Sequence, residues 1–320
     1  MIIDSHLHLA TAEPGRNYYP QRQSWAVGMA WAYSGHPPYD KDPKTLVDRH
    51  QLRISDPEGK YSISSMDYAG VDASIVLPVD YDLAWGQASG IPIEEKHQQL
   101  RDLMHKYPDR LHPFAGPDPR RLDSFNIFKR AIDEYGLKGF KLIPGAGYYP
   151  WDERIYPFYD FCLDRDIPVF TCTQATPGGY RYARFSEPTH VGDMLAEFPD
   201  LTVVMLHAGF PYYHAFEQAM NVAQGCINTY IQLDFWIHGY APRPSAVGTA
   251  PNIVSDEEAI VKMLARAKGA IGSHRILWGT DSHQGPSFHD EHSVFRFGMK
   301  RIVDWWKNLP ETGKKYGCEF

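Results

Sequence analysis

The chain begins MIIDSHLHLA (residues 1–10), a short apolar run followed by two histidines that are separated by one residue. Side chains two apart in a β-strand point to the same face, so His6 and His8 can direct both imidazoles into one site. Imidazoles are common ligands of divalent transition metals. We therefore interpret this stretch as the first strand of the fold, with a metal site at its end.

Seven more strand-like runs follow the first at regular intervals, and helical periods separate them. Eight βα units in one chain of 320 residues favour a closed parallel barrel, because closing the sheet removes both edge strands. The sequence therefore predicts an α/β fold, a (β/α)8 TIM barrel that forms a single domain over residues 1–320. The strand candidates are residues 2–4, 73–79, 111–115, 138–142, 167–172, 201–207, 230–234 and 275–279, and the helical stretches include residues 93–106, 122–135, 190–198 and 257–268.

Two insertions interrupt the alternation. The first, residues 11–62, is rich in Tyr, Trp, Pro and Gly and follows the first strand. The second, residues 236–255, has the Pro, Gly and Ser content of an ordered loop and follows the seventh strand. Loops after the strands of such a barrel open on the face that carries the chemistry. Both insertions are expected to form the lid and walls of a substrate pocket rather than a separate domain.

Composition and charge argue against several classes of protein. Charged residues of both signs are well mixed, with a formal net charge of −7 at pH 7, which disfavours a nucleic-acid or membrane-surface partner. The chain has no apolar run of the ~18 residues that a spanning helix needs, and its start lacks the pattern of a secretory signal. Its four cysteines form no Cys-x-x-Cys pair, which fits a reducing compartment. We expect a cytoplasmic protein that binds a small molecule. The sequence does not determine the oligomeric state and is compatible with a homo-oligomer.

Two further strand ends carry reactive side chains. Asp281 ends the apolar run of the eighth strand, where burying its charge alone would be costly. A bound cation or a role in proton transfer would compensate that charge; the alternative is an N-cap for the next segment. His207 ends the sixth strand, where an imidazole suits acid–base catalysis, and a structural histidine is the alternative. We predict that Asp281 is both a metal ligand and a catalytic residue and that His207 is catalytic.

Five stretches together are specific for a known family: IDSHLHL (3–9), MDYAGVDASIVLPV (66–79), GLKGFKLIPGAGYYPWDERIYPFYDFCLDRDIPVF (136–170), PTHVGDMLAEFPDLTVVMLHAGFP (188–211) and RILWGTDSH (275–283). They resemble the amidohydrolase-2 branch of the amidohydrolase superfamily, which includes enzymes like aminocarboxymuconate-semialdehyde decarboxylase. The similarity covers most of the chain. It implies a metal-dependent hydrolase or non-oxidative decarboxylase. The implied ligands of the divalent ion are His6, His8 and Asp281, with His207 as an acid/base or a further ligand.

One position departs from the pattern of that family. The family shows Pro-Val-x-x-His after the fifth strand, whereas this chain reads PVFTC over residues 168–172. A thiolate is a good zinc ligand, so Cys172 is predicted to replace the usual histidine. The alternative is a small buried residue beside an altered site. If Cys172 does not bind the metal, the remaining candidates are His207, Lys141 and His238.

Three residues at other strand ends are predicted to bind the substrate. Lys141, at the end of the fourth strand, suits a substrate carboxylate as a point charge. A carbamylated lysine that bridges two metals and a side chain facing the helices are its alternatives. His238 and Asp80 follow the seventh and second strands and are expected to add polar walls.

These features predict a hydrolase that acts on a small organic acid, ester or amide-like substrate through metal-activated water. Zinc is the preferred ion, with iron or manganese as alternatives. Non-oxidative decarboxylation of an aromatic or unsaturated carboxylic acid is the main alternative, although the changed ligand at Cys172 argues against it. A metal-free, lactonase-type hydrolase and an iron-dependent, oxygen-activating enzyme are further alternatives.

Overall fold

A computed structural model describes residues 1–13, 15–33, 42–174, 182–238, 257–286 and 294–320 of the chain. Strands and helices alternate along it, as the periodicity predicts. Each predicted strand region contains a strand, and one more short strand follows the eighth. The strands are β1 (Ile3–His8), β2 (Ala73–Val76), β3 (Leu111–Pro113), β4 (Phe140–Leu142), β5 (Val169–Cys172), β6 (Val203–Leu206), β7 (Thr229–Gln232), β8 (Ile276–Leu277) and β9 (Ser282–His283).

The strands run parallel to their neighbours in two sheets, with the orders β3-β2-β1-β9 and β4-β5-β6-β7-β8. The two sheets meet at both seams. At one seam Ala115, beyond β3, forms a parallel bridge with Phe140 of β4. At the other, the backbone amide of Ser5 in β1 donates to the carbonyl of Trp278, beyond β8, at 3.2 Å. The strands therefore follow chain order around a ring, and the fold is the predicted (β/α)8 TIM barrel.

The helices of the described residues fill the connections between strands. Each of the four predicted helical stretches coincides with a helix, and the helix at Ile93–Lys106 has the bounds that its periodicity predicts. Among the described residues, no helix combines the length and the apolar character that crossing a bilayer requires. The helices are α1 (Gln21–Tyr33), α2 (Pro43–Ile54), α3 (Lys60–Ala69), α4 (Asp82–Trp85), α5 (Ile93–Lys106), α6 (Ser124–Asp133), α7 (Tyr156–Asp164), α8 (Thr189–Glu197), α9 (Tyr213–Gly225), α10 (Asp234–His238), α11 (Glu257–Ile271), α12 (Val294–Lys307) and α13 (Leu309–Lys315).

An aromatic cluster outside the barrel holds β4 in place. Phe140 of β4 stacks on Phe158 of α7 with ring centroids 5.0 Å apart and contacts Phe128 of α6 at 4.5 Å. All three rings are buried, and burial of each contributes about 1.5–3 kcal/mol of hydrophobic free energy. Because successive side chains of a strand alternate between faces, this anchoring of Phe140 directs the next residue, Lys141, toward the barrel interior.

The insertion after β1 contains helices that were not predicted. α1, α2 and the start of α3 lie within residues 11–62, and the Tyr19 hydroxyl of this insertion forms a hydrogen bond with His283 Nε2 in β9 at 2.5 Å. Residues 14 and 34–41 of this insertion lie outside the described residues, as do residues 239–256, which include most of the second insertion. The role of both insertions as lid and walls stays a prediction.

Gly279 lies where the chain beyond β8 passes close to β1. A Cβ at this position would come within 2.0 Å of the Gln232 side-chain amide and 2.8 Å of His6 Cβ. We predict that Gly279→Ala displaces His6 and Gln232 and lowers the free energy of unfolding by about 1–3 kcal/mol. Gly269→Ala in α11 is the control, because a Cβ there meets nothing within 4 Å. The control should raise stability by about 0.5–1 kcal/mol. Urea denaturation measures the free energy of unfolding of both variants. A Gly279→Ala protein that is as stable as Gly269→Ala would contradict the prediction.

Candidate metal and acid–base site

The side chains predicted to be reactive meet at the carboxyl ends of the strands. His6 and His8 lie at the end of β1, Asp281 lies between β8 and β9, and His207 follows β6 directly. His6 and His207 are fully buried, and His8 is 5% exposed. These four residues, which are far apart in the sequence, form one buried cluster.

Three atoms that can carry lone pairs face one another at the centre of the cluster. His6 Nε2 lies 3.1 Å from His8 Nε2 and 3.1 Å from Asp281 Oδ1, and His8 Nε2 lies 2.8 Å from Asp281 Oδ1. Hydrogen bonds fix the opposite ring nitrogens as donors. His8 Nδ1 donates to the Leu77 carbonyl at 2.6 Å, and His6 Nδ1 donates to Asp234 Oδ2 at 3.1 Å. In neutral rings both Nε2 atoms then hold lone pairs that point at the Asp281 carboxylate.

Electrostatics make this arrangement costly without a cation. Burial lowers the pKa of His6 to about 3, so this ring is neutral. The Asp281 carboxylate is nearly buried and lies against both Nε2 atoms, so its charge also needs compensation. Lone pairs and a negative charge that converge in a buried site repel one another unless a positive ion lies between them. Two imidazole nitrogens and a carboxylate oxygen are ligands that a divalent transition metal accepts, so these residues fit such an ion.

A second carboxylate, Asp234, serves two of the histidines. It begins α10 directly after β7 and is fully buried. Its Oδ1 accepts a hydrogen bond from His207 Nδ1 at 3.0 Å, and its Oδ2 accepts one from His6 Nδ1 at 3.1 Å. Burial alone would lower the pKa of His207, but Asp234, and then Cys172, raise it to about 10. His207 is therefore a protonated acid that Asp234 orients. Sequence reasoning assigned Asp234 no role, and its place at a strand end was the available signal.

The backbone is strained at two residues of the cluster. His207 has φ 66° and Asp281 has φ 43°, in the left-handed region that costs a non-glycine residue about 1 kcal/mol or more. Hydrogen bonds hold the strained segment around Asp281: its amide donates to the His6 carbonyl at 2.7 Å. The buried carboxylate of Asp4 accepts from the amides of Thr280 at 2.9 Å and His6 at 3.0 Å. Asp4 thus ties the segment that carries Asp281 to the strand that carries His6 and His8.

Cys172 and Lys141 lie beside His207. β5 pairs with β6 so that Cys172 is opposite Leu206, the residue before His207, and the Cys172 thiol forms a hydrogen bond with the His207 side chain. Lys141 of β4 is opposite Phe170 and therefore shares a face with Cys172, with which it also interacts. Lys141 is 2% exposed, and apart from the Cys172 thiol its Nζ has no hydrogen-bond partner in the described part of the chain.

The members of a candidate ion-binding group are His6, His207, Asp234 and Asp281, whose donor atoms all lie within 4.8 Å of one another. This group is drawn from the described residues and does not contain Cys172. Because His207 Nδ1 and His6 Nδ1 are occupied by Asp234, we regard the His6, His8 and Asp281 atoms described above as the better ion site. A ligand role for Cys172 stays a prediction.

The structure gives less support for a substrate-binding role of the other two predicted residues, Asp80 and His238. Asp80 is buried, and its two oxygens accept from Arg121 at 2.6 Å each, with the Asp118 amide as a further donor at 2.8 Å. Its carboxylate is therefore already satisfied inside the protein, and the substrate role stays a prediction. His238 ends α10, and its side chain lies outside the described residues.

Aromatic side chains border the ion site. The His283 ring stacks on the His8 ring with centroids 4.8 Å apart, and the Tyr19 hydroxyl forms a hydrogen bond with His283. The Tyr19 ring lies 6.2 Å from that of Tyr81. Sequence reasoning did not single out Tyr19. An apolar border of this kind suits the ring or chain of an organic molecule.

The family model described as amidohydrolase matches residues 3–293 of the chain. No curated protein matches.

Solved structures share the barrel at low sequence identity. An uncharacterised TIM-barrel protein from Bordetella bronchiseptica is 20% identical, with a TM-score of 0.63 over 98% of this chain and 94% of that chain. A 5-carboxyvanillate decarboxylase from Novosphingobium aromaticivorans, with bound manganese, is 14% identical, with a TM-score of 0.58 over 100% and 95% of the two chains. A 4-oxalomesaconate hydratase from Rhodopseudomonas palustris is 16% identical, with a TM-score of 0.54 over 99% and 93%. These similarities show the fold.

We predict that Asp234→Asn weakens binding of a divalent ion by about 10- to 100-fold, as loss of a carboxylate behind a ligating histidine typically does. An asparagine offers one acceptor oxygen, so it cannot accept from both His6 and His207. Asp164→Asn is the control, because Asp164 is exposed on α7. Titration of the metal-free protein with zinc in a calorimeter measures both affinities. An unchanged affinity in Asp234→Asn would show that this carboxylate does not orient the ligand.

Proposed function

The chain belongs to the amidohydrolase family, whose members are enzymes, and we propose that it is a metal-dependent hydrolase acting on a small organic carboxylic acid or its ester or amide. The observation that carries the proposal is a carboxylate and an imidazole in one buried site. Asp281 Oδ2 lies 4.0 Å from Nδ1 of the His207 ring, whose other nitrogen, Nε2, is not bound by Asp234, so both side chains can take part in proton transfer at this point.

His6, His8 and Asp281 would hold the ion. A divalent ion bound there would polarise a substrate carbonyl and lower the pKa of a coordinated water. We propose zinc, because two imidazoles and one carboxylate are a common ligand set of catalytic zinc. Manganese and iron are the alternatives, and the manganese in the related decarboxylase structure supports a divalent ion in general.

Asp281 and His207 divide the two proton transfers of hydrolysis. Asp281 Oδ1 contacts His6 and His8, and its Oδ2 can accept the proton of the attacking water. His207, protonated and oriented by Asp234, can donate a proton to the leaving group. The water-derived oxygen then stays in the acid product, and the leaving group departs as a neutral alcohol or amine.

Lys141 supports an anionic substrate. A buried ammonium whose one partner is a thiol is costly, and the carboxylate of a bound substrate would compensate it. Its position beside Cys172 and His207 would bring that carboxylate close to the proton donor. The aromatic border formed by Tyr19, Tyr81 and His283 suits an unsaturated or ring-containing remainder.

His207 also supports a second candidate, non-oxidative decarboxylation. That reaction requires a donor that protonates the carbon losing CO2 and requires no base for water. A buried imidazolium meets the first requirement.

Labelled water distinguishes the two reactions. We expect that zinc-loaded enzyme, incubated with a panel of small unsaturated and aromatic acids, esters and lactones in water enriched in heavy oxygen, places one heavy oxygen in the acid product. Mass spectrometry measures the label. Release of CO2, with deuterium from heavy water bound at the product carbon, would instead establish the decarboxylase. Turnover that survives complete removal of metal would contradict both.

We predict that Lys141→Met raises KM for the acid substrate roughly 10- to 100-fold, because a charge-assisted hydrogen bond of about 1.5–3 kcal/mol is lost. The same change should leave the ligand-free protein as stable as before or more stable, because a buried unpaired charge is removed. Lys138→Met, at an exposed position three residues earlier, is the control. A normal KM combined with a less stable protein would mean that Lys141 is structural.

A further inference from the structure

Cys172 contacts His207, and His207 contacts Asp234. The proton transfers proposed above give Cys172 no role. The Cys172 thiol contacts the His207 side chain, and His207 Nδ1 is held by the Asp234 carboxylate at 3.0 Å. Because Nδ1 is occupied by Asp234, the remaining ring nitrogen, Nε2, is the one that can pair with the thiol. A sulfur nucleophile, an imidazole and an orienting carboxylate in this order are the parts of a thiol-dependent acyl transferase.

We propose that Cys172 is a covalent nucleophile and that hydrolysis passes through a thioester on its Sγ. This inference rests on the proposed function. It adds a residue and an intermediate to it, and in the thioester step it assigns the proton of the attacking water to His207 in place of Asp281. It also gives a reason for a cysteine at a strand end where the resembling family has a histidine.

Two observations besides the cysteine support a substrate at this point. The three residues lie on the carboxyl ends of adjacent strands β5 and β6 and directly after β7, and each is at most 1% exposed. Lys141, also buried, brings its ammonium to the same face as Cys172, and among the described residues its Nζ has no partner besides that thiol. A carboxylate held by Lys141 would place the adjoining part of the substrate against the sulfur.

The reaction balances without an oxidant or a further reactant. Sγ of Cys172 forms a bond to the carbonyl carbon, the bond to the leaving heteroatom breaks, and that heteroatom takes the proton shared between Cys172 and His207. Water then attacks the thioester carbon while His207 accepts one of its protons. The C–S bond breaks, its electron pair returns to sulfur, and the acid product leaves.

The test uses the mono(p-nitrophenyl) ester of terephthalic acid, which carries a free carboxylate for Lys141 that cannot reach its own ester carbonyl. We expect wild-type enzyme to release a burst of p-nitrophenol equivalent to its active sites. Acid quenching followed by digestion and mass spectrometry should find a 4-carboxybenzoyl group on the peptide that contains Cys172. Cys172→Ala should lose the burst and the adduct, and should lower the steady-state rate roughly a thousandfold or more, while keeping its metal.

Controls separate this site from other thiols. Cys162→Ala removes another buried cysteine, on α7, and should retain the burst. Cys226→Ser combined with Cys318→Ser removes the partly exposed thiols and should also retain it. Asp234→Asn should slow the burst and change its pH profile, because this carboxylate positions His207.

Several results would overturn the proposal. These are a burst retained in Cys172→Ala, an adduct on another residue, or loss of metal from a folded Cys172→Ala, which would identify the thiol as a ligand. If Cys172→Ala does not fold, the location of the adduct in the wild-type enzyme decides alone. An adduct on Cys172 in enzyme that carries no metal would support the nucleophile and contradict the metal-dependent function. Metal-dependent turnover without any adduct would contradict the nucleophile and support the metal-dependent function.

Discussion

Two imidazole nitrogens and a carboxylate oxygen, from His6, His8 and Asp281, converge to within 3.1 Å of one another inside the protein. The opposite nitrogens of both rings donate to fixed acceptors, so in neutral rings the converging atoms carry no proton of their own to share. In the low-dielectric interior these lone pairs and the negative charge repel one another, and a bound cation would remove this repulsion. The parallel barrel provides the geometry, because the carboxyl ends of all its strands open on one face.

Hydrogen bonds from surrounding residues hold the His6, His8 and Asp281 side chains in place although their facing atoms repel one another. Asp234 binds His6 and His207 at once, so the orientation of the ion site and that of the proton donor depend on one carboxylate. Asp4 ties β1 to Thr280, and the backbone strain at Asp281 is held by that connection. A change at any of these positions would therefore affect the ion site, the acid or both. This coupling explains why Gly279, which makes room beside His6, is expected to matter for the site as well as for packing.

Much of the fold and part of the site can be predicted from the sequence because both depend on local patterns. Short apolar, β-branched runs identified the strands. Strand ends in a parallel barrel share one face, which brought together His6, His8, His207 and Asp281. Contacts between elements could not be read in this way. A carboxylate after a strand, such as Asp234, has the same sequence signature as a helix N-cap. The ion pair between Asp80 and Arg121 depends on packing between βα units. α1 lies in a stretch whose aromatic and glycine content hides a helical period.

Metal analysis tests the account most directly. Protein purified without chelator would be assayed by mass spectrometry of its elements, and a crystal would be examined for anomalous scattering between the His6, His8 and Asp281 side chains. The account predicts close to one divalent ion per chain at that point, and its loss when His6 and His8 are both replaced by Ala in a protein that still folds. Metal content well below one equivalent, with activity that survives chelation, would contradict it.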